Sequence, residues 1–266
     1  DATFIGQLTP RTAEMTTRKP GSRGLATAVS LVFAGALALA GCATPGPLHI
    51  YSLGEKRDRS IVDHGPDSTV EVPSFLESEE TVTGLAYDPF TDHFFLRLEP
   101  GNLIRVVDRP ARAIKREFTL EGAPAKSSGD LAVRPRDGHL FLLVPEGVME
   151  TTRFGKLVRT IPLQGSPARA TGIAFDLLRD RLLVLGPDGR NVTLHDLQGA
   201  RVGAIELAQP VGASMGFHAE LRQIHAPLRE RTGEMGIFDE TGALLRSTPV
   251  AGDFVDVGIR SFVRVF

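Results

Sequence analysis

Short runs of alternating apolar and polar residues recur along most of this chain, and they predict β-strands. In runs such as HLFLLV (139–144) and RLLVLG (181–186), apolar side chains follow the two-residue period of a strand, and branched residues favour extended backbone. Turn dipeptides such as Asp137-Gly138 separate the runs. The pattern therefore predicts an all-β protein built from many short strands.

The strand pattern repeats about every 42 residues. Four opening units share it: TGLAYDPFTDHFFLR (83–97), GDLAVRPRDGHLFLL (129–143), TGIAFDLLRDRLLVL (171–185) and ASMGFHAELRQIHAP (213–227). Each is followed by a second strand–turn–strand unit, and three of those turns carry a glycine, at Gly155, Gly199 and Gly242. Four short strands in a repeat of roughly 40 residues are typical of a β-propeller blade.

The fourth opening unit also fits a helix, because one helical face would carry Phe217, Leu221, Ile224 and Leu228. Its register with the other three units favours strands instead.

The two ends of the chain supply a fifth blade. Four complete repeats occupy 81–252, a fifth opening unit follows at 253–266, and strand-like runs begin at LHIYSLG (48–54). We expect the two termini to pair, because closure removes the edge strands that an open sheet leaves exposed. The predicted fold is an all-β, five-bladed β-propeller over 48–266, its fifth blade closed by N- and C-terminal strands.

A signal peptide is predicted ahead of the propeller. Basic residues precede the apolar stretch 25–40, and the stretch ends in Leu39-Ala40-Gly41-Cys42, which resembles the bacterial lipobox. The resemblance implies that Cys42 is acylated and becomes the mature N-terminus. The alternative is a transmembrane anchor, although 16 residues fall short of the ~20 that span a bilayer.

These segments define the domain organisation. We expect 1–14 to be an upstream extension outside the native protein, 15–41 a lipoprotein signal peptide and 42–47 a lipidated tether. Two acyl chains hold a protein on a bilayer far better than one. Ala43 stands where an inner-membrane retention signal places Asp, so the predicted location is the cell envelope, on the outer membrane facing the periplasm.

Composition narrows the function classes. A formal charge of −2 gives no overall basic field for nucleic acid, and no nucleic-acid partner is expected. Cys42 is the only cysteine, which excludes an internal disulfide framework and a zinc site built from cysteines.

The repeats resemble NHL-like propellers, and most closely the SdiA-regulated family of bacterial envelope proteins. The resemblance rests on TGLAYDP (83–89), GNLI (101–104), LVRTIPL (157–163) and TGIAFD (171–176). It implies a propeller of the cell envelope and offers no settled reaction. The chain departs from the family's acidic "DPEG"-like motif, where it reads Ser127-Ser128-Gly129-Asp130.

One register of the opening units is a candidate site. Asp130, Ser214 and Asp256 stand where the other two units have Gly84 and Gly172, on the strand that lines a propeller's channel. We predict a polar pocket on the axis formed by Asp130, Asp256 and Ser214, where carboxylates suit a divalent cation such as calcium. The alternative is that these acids only hold loop backbone.

Two other patterns give little support to a catalytic or a metal site. Gly212-Ala213-Ser214-Met215-Gly216 matches a nucleophile elbow, but no α/β alternation surrounds it. The histidines lack metal-ligand spacing, and only His218 and His225 merit a test of proximity.

The sequence therefore predicts a lipid-anchored, non-catalytic propeller that binds or scaffolds an envelope protein or a small ligand. It predicts no catalytic residue and no cofactor, except for the divalent cation considered above. The alternative is a metal-dependent, lactonase-like hydrolase with its site on the axis. A structural spacer is the third hypothesis.

Overall fold

The computed structural model describes residues 48–53, 60–65, 69–72, 75–124, 129–166, 169–250, 252 and 254–259. The chain divides into units 1–44 and 45–266, and the description concerns the second. The predicted signal peptide, Cys42 and the tether lie outside the described residues. Every regular element in the described part is a β-strand, and none of its segments is a helix fit to cross a membrane.

Twenty strands form five antiparallel four-stranded sheets. In order from the inner to the outer strand, blade 1 is β4 (Thr81–Asp88), β5 (His93–Glu99), β6 (Leu103–Asp108) and β7 (Ala113–Thr119); blade 2 is β8 (Leu131–Arg134), β9 (His139–Val144), β10 (Gly147–Thr151) and β11 (Leu157–Ile161); blade 3 is β12 (Gly172–Asp176), β13 (Arg181–Leu185), β14 (Asn191–His195) and β15 (Arg201–Glu206); blade 4 is β16 (Gly216–His218), β17 (Gln223–Pro227), β18 (Glu234–Phe238) and β19 (Leu244–Pro249); blade 5 is β20 (Phe254–Ile259), β1 (Leu48–Leu53), β2 (Ile61–His64) and β3 (Thr69–Val72).

The predicted five-bladed propeller is confirmed. The inner strands contact one another in the ring order β20, β4, β8, β12, β16 and back to β20. The segment that also fitted a helix forms β16 and β17, so the strand interpretation is correct there.

The two ends of the chain close the ring as predicted. β1 pairs antiparallel with β20 from Leu48 opposite Ile259 to Leu53 opposite Phe254. The pairing leaves β20 as the inner strand of blade 5 and β1 as its second strand. A long antiparallel ladder thus joins the first and last strands in place of a covalent turn.

The hydrophobic core lies between the blades. Each of five buried clusters joins two adjacent blades, so the core has one cluster at every blade–blade seam. Between blades 5 and 1, the rings of Tyr51, Tyr87 and Phe94 pack with centroids 4.4–5.3 Å apart. Between blades 2 and 3, Phe141 stacks on Phe175 at 5.4 Å. Such aromatic pairs add to the stabilisation that burial provides.

The two faces of the propeller carry different turns. Because the strands alternate in direction, the turns between first and second strands and those between third and fourth strands lie on one face, which we name the hairpin face. The other turns and the links between blades lie on the opposite face, the link face. Ion pairs join hairpin-face turns of neighbouring blades: Arg136–Asp180 at 3.1 Å and Arg179–Glu240 at 3.1 Å.

Glycines in the third–fourth turns of blades 2, 3 and 4 contact the blade before each of them. Gly155, Gly199 and Gly242 have φ between 82° and 86°, which glycine adopts most readily. Their carbonyl oxygens accept hydrogen bonds from the amides of Glu121, Gln164 and Ala208, just after the preceding outer strand, at 2.8–3.0 Å. The glycines predicted from turn chemistry therefore also allow close approach between blades.

Candidate functional site

The five residues of the predicted axial register each meet the next blade of the ring. Two are glycines, and a Cβ on Gly84 would lie 2.8 Å from the Leu131 amide nitrogen, while one on Gly172 would lie 3.1 Å from the Ala213 carbonyl oxygen. The glycines therefore let neighbouring inner strands approach directly. At Asp130, Ser214 and Asp256, a side-chain hydrogen bond makes this connection instead.

Asp130, like Ser214, has no exposed surface. Its Oδ2 accepts a hydrogen bond from the Ile173 amide of blade 3 at 3.3 Å, whereas its Oδ1 has no hydrogen-bond partner among the described residues. Burial and the nearby charge of Asp256 raise the pKa of Asp130 well above its usual range, against backbone hydrogen bonds that favour the carboxylate.

Ser214 and Asp256 bridge the seams on either side of β20. The Ser214 Oγ donates to the Val255 carbonyl oxygen and accepts from the Val255 amide, both at 3.2 Å. The Asp256 Oδ2 accepts from the Tyr87 amide of blade 1 at 2.6 Å. Asp256 is also close enough to Asp130 to affect its pKa. The three predicted residues thus share the inner ring, and each has a backbone partner in the following blade.

Arg97 joins this region, and the sequence reasoning missed it. It lies on β5 opposite Gly84 and is 1% exposed. Its guanidinium donates to the carbonyl oxygens of Gly129 at 3.0 Å and Leu143 at 2.8 Å, both in blade 2. Burial lowers the pKa of Arg97 to about 10, although Glu99 and Asp130 oppose this shift. An arginine within the apolar run HFFLRLE was the available signal.

His218 and His225, singled out for a test of proximity, lie on one face of blade 4. His225 pairs with Gly216 and His218 with Gln223, so the two side chains are diagonal neighbours. The His218 Nδ1 accepts from the Leu221 amide at 3.0 Å, while both ring nitrogens of buried His225 lack a partner among the described residues. Burial, with smaller effects from His218 and Arg246, lowers the pKa of His225 to about 3.

A second buried arginine lies away from the axis, on blade 1. Arg105 is 3% exposed and pairs with Glu80 at 2.6 Å and Glu117 at 2.5 Å. Phe75 and Ile114 help to line a shallow cleft beside this cluster. The carboxylates of Glu80 and Glu117 neutralise the arginine, so the cleft carries no free cationic group from Arg105.

The chemistry of the axial register follows from these contacts. Across the residues that the structure describes, no three His, Cys, Asp or Glu side chains form a group that could hold a metal ion. Ser214 has its donor and its acceptor engaged by backbone rather than by histidine. The polar side chains of the register therefore hold neighbouring blades together by hydrogen bonds. In the described part of the chain, the Oδ1 of Asp130 is the one polar side-chain atom of the register without a partner.

Comparisons with known proteins support the fold alone. No family profile and no curated protein sequence matches the chain. A chain of the nidogen/laminin complex is similar in structure, with a TM-score of 0.54 and 9% identity over 80% of this chain and 99% of that one. Hydrazine synthase of Kuenenia stuttgartiensis gives a TM-score of 0.44 at 13% identity, over 66% of this chain and about half (51%) of that one.

Proposed function

We propose that this protein is a lipid-anchored β-propeller of the bacterial cell envelope that binds or scaffolds a partner without catalysing a reaction. The lipobox-like Leu39-Ala40-Gly41-Cys42 and the resemblance to NHL-like propellers support the anchor and the envelope location. The partner is an envelope protein or a small ligand, and acyl chains on Cys42 join the protein to the membrane.

The hydrogen bonding of the axial register is the observation that carries the non-catalytic role. Ser214 and Asp256 both bind backbone groups of the following blade. Side chains that hold a scaffold in this way are oriented toward the fold rather than toward a reacting atom. The remaining surface for recognition is that of the turns and outer strands, where propellers and other scaffolds carry their binding loops.

The anchor is tested by mass spectrometry of the mature N-terminus in cells with and without globomycin, which blocks removal of lipoprotein signals. We expect an acylated Cys42 without the drug and an accumulating precursor with it. An unmodified Cys42 within a retained signal would contradict the anchor. Binding is tested by crosslinking in intact cells, and the recovered partner must be lost from a Cys42→Ser strain that mislocalises the protein.

A metal-dependent hydrolase on the axis is the second candidate, and one observation favours it. The Asp130 Oδ1 is buried without a partner among the described residues, and the Asp256 carboxylate is nearby. Oxygen ligands of this kind suit calcium. If the candidate is right, calcium raises the melting temperature of the wild-type chain but not that of an Asp130→Asn, Asp256→Asn variant. Equal melting temperatures with calcium and with a chelator would exclude it.

A further inference from the structure

Exposed large apolar side chains are absent from the described link-face turns. In the described part of the chain there are ten, and four lie in first–second turns of the hairpin face: Phe90, Leu177, Leu178 and Leu221. The other six lie at the outer edge of the propeller, in a third–fourth turn or within the first two residues of outer strands, where blades contact the preceding outer strand: Phe154, Ile114, Leu157, Val158, Val202 and Leu245. The described link-face turns carry none.

The fold does not require this asymmetry. Phe90 is 74% exposed, Leu178 is 64% exposed and Leu221 is 55% exposed, so these side chains contribute little to the core. Phe90 and Leu178 hold the third position of their turns, whereas Leu221 holds the fourth. Single exposed apolar residues are ordinary, so what distinguishes this face is their recurrence in the first–second turns of blades 1, 3 and 4, together with their absence from the described link-face turns.

The first described strand begins on the same side. β1 is the second strand of its blade, so it begins at Leu48 on the hairpin face. Cys42 precedes Leu48 by six residues, and six residues span at most about 20 Å. If Cys42 is acylated, which is part of the function proposed above, the bilayer lies within that reach of the hairpin face.

We propose that the hairpin face is a membrane-docking surface. The side chains of Phe90, Leu178 and Leu221 enter the interfacial layer of the bilayer that holds the acyl chains of Cys42. Aromatic and aliphatic side chains gain free energy by this transfer, and the acyl chains keep the face at high local concentration. The propeller then lies flat on the membrane, with its link face turned away and open to partners.

Tryptophan fluorescence tests the orientation, because the natural chain contains no tryptophan. Phe90→Trp and Leu178→Trp report on the hairpin face, and Glu146→Trp, in the exposed turn between β9 and β10, is the matched control on the link face. The full acylated chain is reconstituted in phosphatidylethanolamine–phosphatidylglycerol vesicles with brominated acyl chains. We expect a blue-shifted emission and at least about twofold quenching at positions 90 and 178, with neither at 146.

Equal quenching at all three positions, quenching at 146 alone, or no quenching at any would overturn the docking surface. Mass spectrometry of the same sample separates this outcome from failure of the anchor. If Cys42 is acylated in the Phe90→Trp chain and its tryptophan emission is not quenched, the proposed anchor stands and the docking surface is lost.

A second arm tests the surface without the lipid. The Cys42→Ser chain, produced from position 42 without the predicted signal peptide, is mixed with the same vesicles, and its partition coefficient is compared with that of the same chain carrying Phe90→Ser and Leu178→Ser. We expect the serine substitutions to lower the coefficient about tenfold, because two partly buried apolar side chains are lost. An unchanged coefficient would count against the surface whether or not Cys42 is acylated.

The same variants identify a competing occupant. If the Cys42→Ser chain dimerises at micromolar concentration and Phe90→Ser, Leu178→Ser abolishes the dimer, the face binds a second copy of the chain. That result would overturn the membrane assignment, whereas a monomer at all concentrations supports it.

Discussion

The seams between blades and the turns of the hairpin face differ in how regularly their residues repeat and in how closely those residues pack. At every seam, a buried cluster and an axial contact recur at the same register, whether the residue is Gly84, Asp130 or Ser214. In the first–second turns of the hairpin face, Phe90 and Leu178 share one turn position, Leu221 holds another, and all three side chains pack little. The seams therefore account for stability, while the exposed turn tips are left for the proposed contact with the membrane. Changes at seams should lower stability, and changes at the turn tips should alter binding alone.

The largest loss in the free energy of unfolding is expected on substitution of a turn glycine that contacts the preceding blade. In Gly242→Ala the new Cβ would lie 1.9 Å from the Glu206 carbonyl oxygen, at a φ of 86°. Gly233→Ala is the matched control, because its φ is 83° and its nearest neighbour is 3.9 Å away. We expect the control to lose about 1 kcal/mol from backbone strain, and Gly242→Ala to lose about 3 kcal/mol or more.

Urea unfolding monitored by circular dichroism measures both glycine variants. Equal losses would show that the turn does not need close approach to the preceding blade.

Stability should next depend on pH through His225. Because burial lowers its folded pKa to about 3 from an ordinary 6.5, the unfolded chain binds the proton more readily. This contribution is present above pH 6.5 and is lost as the pH falls toward 3. Between pH 7.5 and pH 4.5 the wild type should lose about 3 kcal/mol more than His225→Leu does. Parallel losses in the two chains would mean that His225 is solvated.

A smaller loss is expected at the axial register. Ser214→Ala removes both hydrogen bonds to Val255 and should lower the free energy of unfolding by about 1–2 kcal/mol. Vesicle binding should not change, because Ser214 is fully buried within a seam. A variant that folds normally but binds vesicles less would place the axis within the binding surface.

The smallest effect on stability is expected at the turn tips. Phe90→Ser with Leu178→Ser should change the free energy of unfolding by less than about 0.5 kcal/mol, because both side chains are largely exposed. If this double variant binds vesicles less, the loss of binding then cannot be attributed to a loss of folding stability. A large loss of stability in the same urea titration would instead assign the tips to the core.

Much of the architecture could be predicted from the sequence. The 42-residue repeat fixes the number of strands per blade, and the strand-like runs at the two ends predict the pairing of β1 with β20. The register of Asp130 and Asp256 was also visible, because equivalent positions in repeats lie at equivalent depths.

The remaining features of the site depend on contacts between residues far apart in the sequence, which a repeat pattern does not show. Nothing near Asp130 in the sequence indicates that its Oδ2 meets the Ile173 amide, 43 residues away. Arg97 likewise reaches Leu143 across 46 residues. The absence of exposed large apolar residues from the described link-face turns becomes visible only when strand direction assigns each turn to a face.

Amide hydrogen exchange of the unmodified, acylated chain in vesicles tests most directly whether the hairpin face meets the membrane while the seams hold the ring. Exchange is compared with that of the Cys42→Ser chain in solution. We predict slower exchange in the hairpin-face turns 88–93 and 176–181, with the link-face turns 99–103 and 185–191 unchanged. Protection of the link-face turns, or equal exchange in both sets, would contradict the account.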